Sequence, residues 1–151
     1  MVPPRNILVP TNFTDSAAAA LEYAKMLAGE SGSKLHVLHA VEDYTTDSPM
    51  LTAVDLEGIC RQADGESLER LQSLLSAEER ERLHVEFQVV RNSPYDAILD
   101  YARANKIDLI VMGGSNRGAF VQFIMGSIAD AIVRNAPCPV LTVKADSLVA
   151  A

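Results

Sequence analysis

The segment Gly113-Gly114-Ser115-Asn116-Arg117 and the pair Gly126-Ser127 form the densest set of groups in this chain that can do chemistry. Glycines let a backbone approach a ligand closely, a serine hydroxyl donates a hydrogen bond, and free N–H groups at a helix start attract negative charge. Together they suit a phosphate. The same residues also suit a chain that merely turns at Gly113 and Gly114 and caps a helix at Gly126-Ser127, because glycine spacings match by chance. Arg117 stands where it can reach a polyphosphate or simply be solvated. Residues 113 to 127 contain no carboxylate, and neither Ser115 nor Ser127 has a partnered His and Asp in its sequence neighbourhood. No catalytic residue is assigned, and hydrolase chemistry has no support here.

Other candidates read more plainly. His36, His39 and His84 are not spaced as metal ligands around a carboxylate pair and are expected to be ordinary strand residues. Glu42 and Asp43 can hold a magnesium ion through water or can solvate a loop, and no metal site is assigned to them. Cys60 and Cys138 are far apart with no CxxC or Cys/His spacing, which points away from a metal site and a disulfide framework. Cys138, between Pro137 and Pro139, is expected to be a small buried hydrophobe.

These groups need a scaffold. Ile7 to Val9, Leu35 to Val41, Leu109 to Met112 and Val140 to Val143 are apolar runs without alternation, as strands buried on both faces require. His84 to Val90 alternates polar with apolar, which predicts a strand with one face in water, at an edge. Ala17 to Ala28 has helical period, with Thr14 or Asp15 as N-cap and Gly29 or Gly32 as stop. Leu68, Leu71 and Leu75 share a stripe in the next helical region, which ends in the solvated run AEERERL. Ser93-Pro94 opens a third helix with Ala97, Ile98, Tyr101 and Ala102 inward. The last helix begins near Gly126 and is expected to bury Ile128, Ala129, Ile132 and Val133. The polar stretch Glu42 to Met50, broken by Pro49, reads as a flexible loop or a lid.

Strands alternating with helices predict a parallel sheet wrapped on both faces through right-handed crossovers. In such a sheet the ligand crevice lies beyond the carboxyl ends of the strands, where the strand order reverses. That rule selects Pro10, Thr11 and Asn12 after the first strand, and Met112 and Gly113 at the end of the fourth.

At 151 residues with 48% apolar content, the chain is expected to be a single domain, residues 1–151. Its 13 basic and 20 acidic residues give a net charge of −7, which repels nucleic acid and anionic membrane. The short apolar run near the N-terminus makes neither a signal peptide nor a membrane span, so a cytoplasmic protein is expected.

The opening ILVPTNFTDSAAAALEYA, the segment NSPYDAILDYARANKIDLIVMG and the close APCPVLTV resemble the universal stress protein family. The resemblance runs from about residue 5 to residue 144, carried by pattern alone over residues 42 to 80. The family's nucleotide motif is Gly, two residues, Gly, nine residues, then Gly and Ser or Thr. Counted from Gly113, the second glycine falls on Asn116, and Arg117 to Met125 lead to Gly126 and Ser127, so the spacing is intact.

The resemblance implies an α/β fold of five parallel strands in the order 3-2-1-4-5, doubly wound, and a homodimer, which we place through the C-terminal strand. It also implies, for one of two branches, bound ATP, with or without magnesium; AMP or ADP are alternatives. Thr11, Asn12 and Val41 would then frame the adenosine part, with Gly113, Asn116, Gly126 and Ser127 around the phosphates. Two departures bear on the branch. Nucleotide-binding members usually carry Asp where this chain has Asn12, and Gly where it has Asn116. Asn tolerates positive φ, so Asn116 can keep the turn. Asn12 keeps the shape and one acceptor oxygen of Asp but loses the charge, and charged hydrogen bonds are roughly twice as strong as neutral ones. The expected function is a dimeric nucleotide-binding regulator in stress response. The rivals are an interaction protein of the same fold that binds no nucleotide and, with fold analogy alone behind it, a slow nucleotide-hydrolysing or nucleotidyl-transferring enzyme.

Overall fold

In the computed structural model the described residues are 2–41, 53–114 and 127–145, with backbone alone for 53–57 and 127. The chain runs β1 (Asn6–Pro10), α1 (Asp15–Ser31), β2 (Lys34–Val41), α2 (Ala53–Gln72), α3 (Ala77–Arg82), β3 (Glu86–Arg91), α4 (Pro94–Ala104), β4 (Leu109–Gly113), α5 (Ser127–Asn135) and β5 (Val140–Val143). The five strands pair in the order β3-β2-β1-β4-β5, every pair parallel, as the resemblance implies.

Alternate residues of the central strands feed two cores. Ile7 and Val9 of β1 face one side with Ala20, Leu21, Ala24 and Ala28 of α1 and Leu71 of α2. Leu8 faces the other with Ile98 and Ala102 of α4 and Ile132 of α5. Ile7, Leu8 and Val9 are all fully buried, which explains the unbroken apolar run. Burying each such side chain stabilises the fold by about 1.5–3 kcal/mol.

The helix ends are chemical. Thr14 caps α1 by accepting from the Ala17 N–H, and Gly32 ends it in the left-handed region at φ 69°, donating its N–H to Ala28. Ser93 caps α4 by accepting from the Asp96 N–H, with Pro94 as first helical residue. β3 lies at a sheet edge with Glu86 and Gln88 exposed, as its alternation predicts.

Three expectations are corrected. Leu68 is exposed while Leu71 and Leu75 are buried, so the inward stripe of α2 leaves Leu68 outside. The AEERERL run forms a separate helix, α3, held by a capping box in which Ser76 and Glu79 bond each other's backbone N–H. Ile128 and Val133 are exposed, because α5 turns only Ala129 and Ile132 inward and the other two flank that arc. In addition, β3 begins at Glu86; His84 sits in a turn at φ 49° and its N–H bonds the Glu81 carbonyl. The stretch Glu42 to Met50 lies outside the described residues. Among the described residues no helix is long and apolar enough to cross a membrane.

Candidate functional site

At the carboxyl end of the sheet the neighbouring strands β1 and β4 stop pairing early. Their register holds only Ile7↔Leu109 and Leu8↔Ile110, whereas β1 stays paired with β2 through Pro10↔Leu38. Pro10 explains part of this. The Thr11 N–H donates to the Leu38 carbonyl on β2, so by alternation the Pro10 nitrogen faces β4, where it has no hydrogen to give. The strand order reverses between β1 and β4, so the ladder ends at the switch point of the sheet.

Thr11 follows, buried and hydrogen-bonded through its N–H, carbonyl and hydroxyl oxygen. Its N–H bonds Leu38, its Oγ1 accepts from the Phe13 N–H at 3.0 Å, and its carbonyl accepts from His39 Nδ1 at 2.8 Å. A carbonyl only accepts, so the His39 ring carries its proton on Nδ1. Phe13 takes the left-handed conformation at φ 63°, a cost of about 1–2 kcal/mol for a residue with a side chain. Contacts hold it there: its ring packs on His39 with centroids 4.6 Å apart, and the Arg70 guanidinium lies 4.0 Å over it.

Asn12, exposed between them, has its oxygen taken. Oδ1 accepts from the Thr14 N–H at 3.3 Å and from Thr14 Oγ1 at 2.6 Å, while Thr14 itself caps α1. The oxygen that the sequence reading counts as an acceptor for a ligand is therefore spent on the turn. Among the described residues Nδ2 has no partner, so the side chain offers a donor.

Gly113 ends β4 against the start of α1. A Cβ there would lie 2.7 Å from the Ser16 carbonyl carbon and Oγ and 2.8 Å from the Ala17 nitrogen. The glycine is thus required by packing of the chain on itself, in addition to any ligand. The Gly114 N–H continues the ladder to the Val143 carbonyl.

The other expected site residues divide. Val41 ends β2, half-buried, its carbonyl accepting from the Asn92 N–H. Met112 is buried in the α4/α5-side core, so its side chain serves packing. Ser127 is the first residue of α5 and its side chain is outside the description; Asn116, Arg117 and Gly126 lie outside the described residues, as do Glu42 and Asp43. The structure therefore brings Pro10, Thr11, Asn12 and Gly113 to one end of the sheet, with Val41 at the same end one strand further out.

Sequence reasoning missed His39 and Phe13. The signal for His39 was a polar residue in an otherwise apolar buried strand, which needs a partner. Nothing in the residue type announces the positive φ of Phe13.

Elsewhere the polar groups are structural. His36 is buried, with Nδ1 2.8 Å from the Tyr101 hydroxyl and Nε2 3.1 Å from Asn6 Oδ1. Burial holds its pKa below the usual histidine value, against the pull of nearby Glu86, and pushes Tyr101 up to about 12. Arg91 reaches Cys60 Sγ at 2.8 Å and Asp64 at 2.7 Å. Cys138 is half-buried on the α4/α5-side core, and burial raises its thiol pKa. Among the described residues no group of three His, Cys, Asp or Glu side chains is disposed to hold a metal ion.

Comparison with known proteins agrees with this fold. A universal stress protein from Thermus aquaticus is 33% identical over 144 residues, covering 93% of this chain and 98% of its own. The solved structure of the universal stress protein UspA from Lactobacillus plantarum matches with a TM-score of 0.69 at 28% identity, covering 91% of this chain and 96% of its own. A family protein from Arabidopsis thaliana solved with AMP bound shares the fold at a TM-score of 0.62 and 20% identity, covering 93% and 92%. The family model described as the universal stress protein family matches residues 4–144. A doubly wound sheet in this order and a match over nearly the whole chain have one reading: the chain belongs to the universal stress protein family.

Proposed function

We propose that this protein is one cytoplasmic domain, residues 1–151, that binds an adenine nucleotide in stress response and pairs into a homodimer through β5. Its output is a state of conformation or assembly, with hydrolysis slow or absent. The observation that carries the reading is the early end of the β1–β4 ladder, where Pro10, Thr11, Asn12 and Gly113 gather at the switch point of the sheet. In this reading the donors to the ligand are the Asn12 amide and the N–H groups at the start of α5, at Ser127, since helix N-termini favour phosphate. Asn116, Arg117 and Gly126 complete the phosphate side, and Thr11, Asn12 and Val41 border the adenosine. ATP is the ligand we favour, with or without magnesium, and AMP or ADP fit the same donors. The AMP held by the Arabidopsis protein is consistent with a nucleotide on this fold.

Thermal unfolding with and without ATP tests the reading. A ligand at 100 times its Kd adds about 2.7 kcal/mol of stability. A clear rise in Tm with ATP, AMP or ADP supports it. An unchanged Tm with all three at millimolar concentration removes it and leaves the second reading, an interaction protein without nucleotide. That second reading draws on one observation: the single acceptor of Asn12 is already spent on Thr14.

A further inference from the structure

We propose that His36 is a proton-operated switch at the β3 edge of the sheet: the protonated ring exchanges Tyr101 for Glu86, and the Tyr101 hydroxyl turns into the groove between α4 and β3. The inference is independent of the nucleotide reading.

The register of the sheet assembles the parts. His36 of β2 pairs with Glu86 of β3, so the two side chains stand on one face, the face to which α4 brings Tyr101. The ring is 3% exposed, with Nδ1 2.8 Å from the Tyr101 hydroxyl and 3.6 Å from Glu86 Oε2. Its Nε2–H donates to Asn6 Oδ1 at 3.1 Å, so in the neutral ring Nδ1 accepts. A hydroxyl can donate to it and a carboxylate cannot, which is why the first is within hydrogen-bond distance and the second stands off. Protonation reverses the preference. Nδ1–H then needs an acceptor, and a charged one is worth roughly twice a neutral one. The Glu86 side chain, 48% exposed, has room to close the gap. Tyr101 loses its acceptor, and its hydroxyl turns toward the groove that it lines with Val90, Asn92, Ala97, Asp100 and Asn105.

The charges around the ring permit the exchange. On β2 Lys34 opposes the added proton, and on β3 Glu86 favours it. Glu86 also holds Lys34 at 2.9 Å, and that bond keeps its pKa below the usual 4.5, so the carboxylate persists into the acid range. One carboxylate has lone pairs for both cations. On β1 Asn6 is neutral, and Asp108 beyond it is engaged by the Arg5 and Asn6 N–H groups. On α4 Tyr101, raised to about 12 by burial, keeps its proton throughout. Burial lowers the His36 pKa, which puts the switch on the acid side of 6.5.

NMR titration of the whole chain tests this, from pH 8 down to the pH at which circular dichroism shows the fold is lost. The ring signals are assigned through His36→Gln and Tyr101→Phe. In the wild type His36 should titrate in one step below pH 6.5, and the Tyr101 ring shifts should follow with the same midpoint. Glu86→Gln removes the charged acceptor and should lower that midpoint. Tyr101→Phe removes the donor to the neutral ring and should raise it. A histidine with a merely structural role would leave the Tyr101 signals flat. Flat Tyr101 signals, a midpoint that Glu86→Gln does not lower or Tyr101→Phe does not raise, or a His36 that never titrates in the folded chain overturns the inference.

Discussion

Gly113 of β4 and Ser16 of α1 are in such close contact that a Cβ on the glycine would sit 2.7 Å from both the Ser16 carbonyl carbon and its Oγ. The strand end and the helix start are fitted backbone to backbone. Ser16 lies in the same first turn that Thr14 caps and that Asn12 supports through Thr14. Both ends of the crevice thus depend on how tightly β4 closes on α1.

Gly113→Ala should therefore destabilise the fold, since two of the atoms it meets, the Ser16 carbonyl carbon and the Ala17 nitrogen, are backbone and cannot swing aside. Overpacking of this kind costs typically 1–3 kcal/mol. Urea denaturation should show a lower midpoint with an unchanged m-value, whereas Gly114→Ala, whose Cβ would meet Thr142 at an ordinary 3.7 Å, should cost less. Equal stability of Gly113→Ala and wild type would mean that α1 yields without penalty.

His36 should make stability depend on acid. In the neutral ring Tyr101 donates to Nδ1 and Nε2–H donates to Asn6, an arrangement that a proton on Nδ1 disrupts. Because burial lowers its pKa in the folded state, its contribution is present above the unfolded value of 6.5 and is lost as pH falls through the depressed folded value. His36→Gln should cost about 1–3 kcal/mol at pH 8 through unsatisfied buried groups. Its deficit should shrink below pH 6.5, as the wild type weakens and glutamine does not titrate. Urea melts from pH 8 to 5 check this, and parallel curves would contradict it. On the alkaline side the raised Tyr101 adds stability that is complete below pH 10 and lost toward about 12.

The α3 capping box should be measurable by itself. Ser76→Ala removes the acceptor of the Glu79 N–H, and such caps are worth about 1 kcal/mol. Lys25 meets Glu79 as well, so Glu79→Ala should cost at least as much as Ser76→Ala. Chemical denaturation of both variants decides it.

The dimer proposed through β5 has a test in one residue. The Pro139 and Val143 carbonyls accept from Ile110 and Gly114, so the alternate residue Thr142 turns its N–H away from β4, to the open edge. Thr142→Pro deletes that donor and leaves the β4 ladder in place. Light scattering at micromolar concentration should find a dimer for the wild type and a monomer for the variant. A wild type that is already monomeric, or a variant that remains dimeric, would contradict the β5 interface.

Much of the fold was legible because the strands are buried on both sides: Ile7 to Val9 and Leu109 to Met112 carry no polar residue to hide. The Thr14 and Ser93 caps were legible because hydroxyls before a helix have one good use. The Ser76-x-x-Glu79 spacing is equally readable, yet the five charged residues of AEERERL read as solvated and hide both the helix and the burial of Leu83 at its end. Leu68, Ile128 and Val133 misled because each stands at the margin of an apolar arc, where neighbouring elements decide what is covered. Of the crevice, position in the strand order was legible. The spent oxygen of Asn12 was not, because it depends on a turn that Phe13 closes at positive φ. The tight seat of Gly113 was hidden too, since it comes from a contact with a helix nearly a hundred residues away in sequence.

Calorimetric titration of ATP into the wild type and into Gly126→Val is the most direct test of nucleotide binding beyond β1 and β4. If phosphate binds at the start of α5 as proposed, a branched side chain at the residue just before it should block that approach, and a helix start should tolerate the substitution better than the ligand does. The account predicts binding to the wild type at one nucleotide per chain and loss of binding in a variant with native circular dichroism. No binding by the wild type, or the same affinity in a well-folded Gly126→Val, would contradict it.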